Sequence, residues 1–319
     1  DLIVGDEEQE GVFLGIDLGG TQLKAARFSA DGTRVAMENA ASNAGGDAEE
    51  IFGALYSAAS TLIGGSRLRG IGVGVAGLLD PGSGRILNSP NIPALSGFAL
   101  RSRVREAFGD TIPVQMMNDA NAAALGEYFA GAGAGSSSMF LLTLGTGIGG
   151  GFVIDGNLWT GAAGVGAEVG HMCIRADGPL CHCGARGCLE ACVSGWALMR
   201  DAGQIAKRHP ESAIAELSPR TPLTLAELAS AGDRQARALW ENAGAMLGTG
   251  IANLMNLLNP DRIVLVGGLG GAGDLLFEPA RRAWESQAFK EARTFTSVKP
   301  GVLGKWAGVR GAIQSFLKK

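Results

Sequence analysis

Residues 12–35 read "VFLGIDLGGTQLKAARFSADGTRV". Residues 12–18 are apolar apart from Asp17 and the hydrogen-sized Gly15, a pattern of a buried strand, and they run straight into the turn "GGT". Residues 23–29, "LKAARFS", and 33–37, "TRVAM", form two further strands joined by the "ADG" turn at 30–32. A second strand thus follows the glycine turn where a dinucleotide-binding fold would place a helix. No G-x-G-x-x-G connects strand to helix, and no G-x-x-x-x-G-K-[ST] phosphate loop is present.

The pattern returns at 139–159, "MFLLTLGTGIGGGFVIDGNLW". Leu18-Gly19 matches Leu144-Gly145, and Asp31-Gly32 matches Asp155-Gly156, with a shortening of two residues between them. Two related halves, each a mixed sheet with helices, are the expectation, although any two β-hairpins share some of this pattern. Between the repeats come a helix over 47–64, with Ile51, Leu55, Ala58, Ala59 and Leu62 at helical spacing, and a strand at "GIGVGVAG". A helix near 98–108, the strand "PVQMMND" and the helix "ANAAALGEYFAG" complete the block. No long Pro/Ser-rich linker separates the halves, which predicts a cleft between them in place of two tethered beads.

Composition bounds the function. Apolar residues make up 46% and charged residues 18% of 319, enough for two domains with a sizeable core. A net charge of -4 gives no electrostatic footprint for nucleic acid or an anionic membrane. No apolar run reaches the ~18 residues of a membrane span, and the acidic start "DLIVGDEEQE" lacks the basic region of a secretory signal, so a cytoplasmic protein is expected. Glycine, at 51 residues, gathers at strand ends and tight turns, where bare backbone can approach a ligand.

Three glycine turns fit one nucleotide. "DLGGT" offers the amides of Gly19 and Gly20, the Thr21 hydroxyl and the Asp17 carboxylate, a candidate Mg²⁺ ligand. "LGTGIGGG" repeats the device with Gly145, Thr146 and Gly147, and "VLVGGLGGAG" at 264–273 adds Gly267 and Gly268. Each alone is a common tight turn; three in two repeating halves point to phosphate. In "MNDANAAALGE", Asn118 and Asp119 stand where a strand meets a helix, and Asp119 reads equally as an N-cap or as a general base. Glu168, in "GVGAEVGH", and Glu190 flank a cysteine cluster, as partners of a metal site or as acceptors for substrate hydroxyls.

That cluster, "HMCIRADGPLCHCGARGCLEAC" (171–192), contains all five cysteines and two of the three histidines. His171, Cys181, Cys183 and Cys188 form H-x9-C-x-C-x4-C, four ligands suited to a closed tetrahedral Zn²⁺. An odd count in a chain of this size fits a disulfide framework poorly, and no C-x-x-C is present for redox work. Cys173 could compete as a ligand, but it and Cys192 are expected to be small buried core residues; His182 is expected to point to solvent, and His209 carries no signal.

These motifs resemble the ROK family of sugar kinases along essentially the whole chain. The resemblance rests on "GIDLGGTQLKA", "NDANAAALGE", "LGTGIGGG", "AEVGHM" and "CHCGARGCLEACVSG". It implies an α/β, actin/hexokinase-like (ribonuclease H-like) fold of two domains with internally duplicated mixed sheets and a cleft between them. The domains would be residues 1–118 with 303–319, and 119–302 with the zinc site. Asp119 would be the catalytic base, and Asn118, Glu168, His171 and Glu190 would bind sugar hydroxyls. Gly77 and Asn91 would line the sugar pocket, the three glycine turns would hold ATP with Mg²⁺, and His171, Cys181, Cys183 and Cys188 would hold structural Zn²⁺. In that role the zinc cluster is a clamp for Glu168, His171 and Glu190, apart from the glycine turns, which lie on other strands.

The implied reaction is transfer of the ATP γ-phosphoryl group to a hexose, glucose first, with N-acetylglucosamine or N-acetylmannosamine as the alternative acceptor. A homo-oligomer, dimer or tetramer, is implied, with no nucleic acid or membrane partner. One departure is Gln22, where many relatives carry Lys; Lys24 stands two places on, and the sequence leaves open whether it contacts phosphate. The family also includes sugar-responsive repressors with a DNA-binding segment in front, for which a first strand beginning by residue 12 is expected to leave no room.

Overall fold

The computed structural model describes residues 11–317; the acidic N-terminal stretch lies outside the described residues. The chain divides into two compact units. The first runs to Gly135 and takes in Gly151–Gly166 and the chain from Val302 onward; the second comprises Ser136–Gly150 and Ala167–Gly301. The first unit therefore extends past residue 118 to include the whole helix that follows Asn118.

In chain order the first elements are β1 (Val12–Leu18), β2 (Gln22–Phe28), β3 (Arg34–Ala41) and α1 (Ala48–Ile63). Next come β4 (Leu68–Val75), the short pair β5 (Leu78–Leu79) and β6 (Ile86–Asn88), α2 (Leu100–Phe108), β7 (Val114–Asn118) and α3 (Asp119–Ala130). The sheet order is β3-β2-β1-β4-β7. β1 pairs antiparallel with β2 and parallel with β4, and β4 pairs parallel with β7. Asp47 caps α1 in a capping box with Glu50, which starts the helix where its apolar stripe begins.

β1 is buried along nearly its full length, so it serves two cores. Leu14, Ile16 and Leu18 join Ile51, Leu55 and Leu62 of α1 on one face of the sheet. Phe13 packs on the other face with Val309 and Ile313 of the C-terminal segment. Gly15 and Gly72 lie on that second face, and a Cβ at either would strike the backbone carbonyls of Val309 and Ala312. Their bare backbone lets the C-terminal helix lie directly on the strands. Strand alternation places Asp17 on this same face.

The second sheet is β10-β9-β8-β11-β12, built from β8 (Ser138–Leu144), β9 (Ile148–Ile154), β10 (Asn157–Trp159), β11 (Arg262–Val266) and β12 (Ser297–Pro300). Its order repeats that of the first sheet: two hairpin strands, a first strand, then two parallel neighbours. The internal duplication seen in the two glycine-turn segments is thus a duplication of topology. The β9–β10 turn places Asp155 and Gly156 at positive φ, 47° and 74°, as a tight hairpin demands. Among the helices of the second unit are α4 (Leu189–Val193), α5 (Gly195–Arg208), the 25-residue α6 (Arg234–Leu258) and α7 (Asp274–Gln287). α8 (Ala307–Ala312), back in the first unit, packs on α3 and β1. No helix among the described residues is long and apolar enough to cross a membrane.

Candidate functional site

In the first unit, the sequence-derived residues gather at the carboxyl ends of the parallel strands, where open α/β sheets place their ligands. Asp17 stands near the end of β1, Gly77 follows β4 and Asn118 ends β7. Asn118, not Asp119, is the N-cap of α3: its Oδ1 accepts from the amides of Ala120 (2.9 Å) and Asn121 (3.4 Å). Its Nδ2 donates to the Gly77 carbonyl at 3.1 Å. Asp119 is the first residue of the helix, its Oδ1 accepting from the Ala120 amide at 2.9 Å.

The Asp119 carboxyl is pushed up to about 6, chiefly because burial disfavours its charge and further because Asp17 is near. The Ala120 amide and, more weakly, Lys24 oppose that rise. Such a group is ionised at neutral pH yet close enough to its pKa to take a proton, as a general base requires. Asp17 is raised too, by burial, with Lys24 opposing. Lys24 Nζ sits 3.1 Å from Asp17 Oδ2, so the candidate Mg²⁺ ligand is already answered by a cation of the chain itself. Gly19 and Gly20 form the β1–β2 turn with Thr21 exposed, and Gly20 abuts the backbone of the exposed Asn91.

The second unit holds the remaining candidate residues. Gly145, Thr146 and Gly147 form the β8–β9 turn, and Gly267, at φ 110°, packs against the Leu144 backbone. The Gly145 and Thr146 carbonyls accept from the amides of Gly195 (2.9 Å) and Trp196 (3.3 Å) at the start of α5. Glu190, on α4, accepts from the Ile148 amide through Oε2 at 2.9 Å. Any Cβ at Gly147 would strike that carboxylate. The expectation that the zinc loop and the glycine turns stand apart is corrected here, because Glu190 joins them by a direct hydrogen bond. Glu168 keeps an accessible side chain at the turn leading to His171. Its carboxyl is nonetheless raised, first by local desolvation and then by Glu190, with His171 opposing.

A ring nitrogen of His171 and the sulfurs of Cys181, Cys183 and Cys188 all lie within 4.8 Å of one another. Cys181 Sγ is 3.8 Å from His171 Nδ1, and Cys183 Sγ is 3.7 Å from Cys188 Sγ. A Zn–S bond of about 2.3 Å gives a tetrahedral S···S edge of roughly 3.7 Å, so the donors fit a closed four-coordinate site. Burial raises the Cys181 thiol and pushes Cys188 up to about 12, whereas the backbone amide of Ala185 heads the contacts that lower Cys183. Only a cation would hold such a set as thiolates. With Nδ1 turned to the Cys181 sulfur, Nε2 is the His171 nitrogen open to another partner. All five cysteines are free thiols; Cys192 is buried as expected of a core residue, whereas Cys173 is exposed, which corrects the expectation that it belongs to the core. His182 is exposed, as expected, but its ring also stacks on Trp196 at 4.3 Å.

The sequence matches the ROK family over residues 13–319. The chain belongs to the ROK family. A glucokinase of Halalkalibacterium halodurans is 35% identical over 94% of this chain and 93% of its own. A ROK glucokinase of Streptomyces griseus, solved with glucose and AMPPNP, is 34% identical, with a TM-score of 0.81 over 96% of this chain and 99% of that one. A xylose repressor of Caldicellulosiruptor bescii is 32% identical over 88% of this chain and 71% of its own. The chain has the actin-like sugar kinase fold of the ROK hexokinase and glucokinase structures it resembles. Two pairings of this ROK chain are not visible in the sequence. Lys24 has its partner through the β1–β2 register. Glu127, fully buried, accepts from the amides of Ala132, Val302 and Leu303.

Proposed function

We propose that the protein is an ATP-dependent sugar kinase whose acceptor is glucose and whose product is glucose 6-phosphate. The observation that carries this reading is Asp119: a carboxylate at the carboxyl end of a parallel strand, fixed by the capped start of α3 and raised to about 6. A sugar hydroxyl is a poor nucleophile, and phosphoryl transfer depends on positioning and charge more than on covalent help. Asp119 takes the hydroxyl proton as the oxygen bonds to the γ-phosphorus, and ADP leaves with the electrons of the broken P–O bond. The glycine turns lie against the phosphates in this reading, although the Gly19 and Gly145 amides donate within their own turns to the Gln22 and Gly147 carbonyls, and Mg²⁺ would offset the phosphate charge. Glu168, Glu190 and the Nε2 side of His171 are the sugar's hydrogen-bond partners in the second unit. Zn²⁺ on His171, Cys181, Cys183 and Cys188 would supply rigidity alone, since four protein ligands leave no open position.

Similarity to glucokinases at 34–35% identity supports glucose as the acceptor. ADP release measured with purified protein across glucose, mannose, N-acetylglucosamine, N-acetylmannosamine and xylose tests it. Glucose should give the highest kcat/KM. An acetamido sugar turned over faster would replace glucose in this reading, and no ADP from any sugar would favour the sugar-responsive regulator represented by the xylose repressor.

A further inference from the structure

Lys24 faces Asp17 directly across the β1–β2 ladder, with Leu23 opposite Leu18 and Ala25 opposite Ile16 fixing the register. Its Nζ lies 3.1 Å from Oδ2, and the two side chains retain only 19% and 13% of their accessible surface. Gly308 of α8 packs closely over the same carboxyl group: a Cβ there would stand 3.0 Å from the Asp17 carboxyl carbon. Asp119 is the second carboxylate of this corner, close enough for the Asp17 charge to act on it. Two sheltered carboxylates therefore share one cation, and the cation is bound to Asp17.

We propose that Lys24 is a positioning residue for phosphoryl transfer: it holds and neutralises Asp17, leaving Asp119 as the free acceptor, and it does not bind phosphate. This rests on the kinase reading with Asp119 as base. A Lys24 that reached for a phosphate would have to abandon a sheltered carboxylate, and an uncompensated buried charge is strongly unfavourable. Gln22, the ladder residue nearest the glycine turn, is exposed and uncharged, so β2 offers the phosphates no second cation in its place.

The test is a double-mutant cycle of Lys24→Met and Asp17→Asn, with Lys24→Arg as the conservative variant. Readouts are kcat, KM for glucose and ATP, the Kd of AMPPNP, and the thermal midpoint. Lys24→Met should lower kcat about tenfold or more with AMPPNP affinity within about twofold, the split expected when only the transition state is affected. Lys24→Arg should recover most of that loss. Adding Lys24→Met to Asp17→Asn should cost less than about threefold more, because Lys24 acts only through Asp17. The midpoints should be non-additive in the same sense, and the double variant, which removes both charges, keeps the cycle readable if Lys24→Met alone folds poorly. AMPPNP affinity falling tenfold at unchanged kcat would make Lys24 a phosphate ligand and overturn the inference, as would losses that simply multiply. If the wild-type protein phosphorylates no sugar, the kinase reading falls, while the midpoints still report whether the pair is coupled.

Discussion

Asn118 donates from Nδ2 to the Gly77 carbonyl at 3.1 Å while its Oδ1 caps α3. One side chain thus joins the loop leaving β4 to the helix start that carries Asp119. Asn118→Ala should lose the cap, at about 1 kcal/mol of stability, and the Gly77 tie with it. Asn118→Asp keeps an acceptor for the helix amides but has no N–H for Gly77. If the tie shapes the sugar pocket, the Asp variant should keep most of its thermal midpoint and still show a raised KM for glucose. Equal KM in wild type and Asn118→Asp would remove Gly77 from the sugar site.

Asp119 has a folded-state pKa of about 6 against an ordinary value of 3.8. Between those values the folded protein holds a proton that the unfolded chain has released. The stability linked to this group is therefore present in full below 3.8 and lost as pH rises through 6. Catalysis needs the opposite form, so kcat/KM should fall on the acid side of about 6. Asp119→Asn should abolish most turnover, by ~10² to 10⁴-fold, and also flatten the decline in stability between pH 4 and 7. A variant retaining half of wild-type kcat would end the base assignment.

Glu127 is a buried carboxylate on α3 whose oxygens accept from Ala132 (2.8 Å), Val302 (3.2 Å) and Leu303 (2.8 Å). It fastens the end of the helix that begins with Asp119 to the segment leading into α8. Glu127→Gln keeps one acceptor oxygen and turns an N–H₂ toward amides that need acceptors. Its cost should be about 1–3 kcal/mol of stability, measured by denaturant unfolding. A loss within experimental error would show that these amides find water instead.

The repeat of hydrophobic strand, glycine turn and hairpin was legible because strand periodicity and turn chemistry are local, and the matching strand orders followed from it. The metal quartet was legible for the same reason: its ligands fall within 18 residues, His171 to Cys188. Pairings set by register or by long-range packing were not. Lys24 meets Asp17 only once the hairpin register is set, Glu127 meets amides 175 and 176 positions away, and Glu190 meets Ile148 across 42. Asp119 read as either cap or base because a one-residue shift of the helix start exchanges its role with that of Asn118.

The zinc loop leads to the last prediction. Glu190 links two neighbours: its Oε1 lies 3.9 Å from Cys181 Sγ, and its Oε2 accepts from Ile148, the first residue of β9 after the glycine turn. One Zn²⁺ per chain is expected by elemental analysis, and Cys183→Ala should release it. His171 then loses its orienting bond and α4 its anchor, so sugar affinity and thermal stability should both fall. Because Glu190 also holds the turn of Gly145–Gly147, AMPPNP affinity should weaken as well, though by less than glucose affinity. Glu190→Gln isolates this route: zinc should remain, while both affinities fall. Trp196, stacked on His182 between two of the metal ligands, provides an emission signal for the loop, which should shift in Cys183→Ala and stay unchanged in Glu190→Gln. Zinc-free Cys183→Ala with wild-type glucose affinity would refute the clamp, and unaltered AMPPNP affinity in both variants would separate the metal loop from the glycine turn.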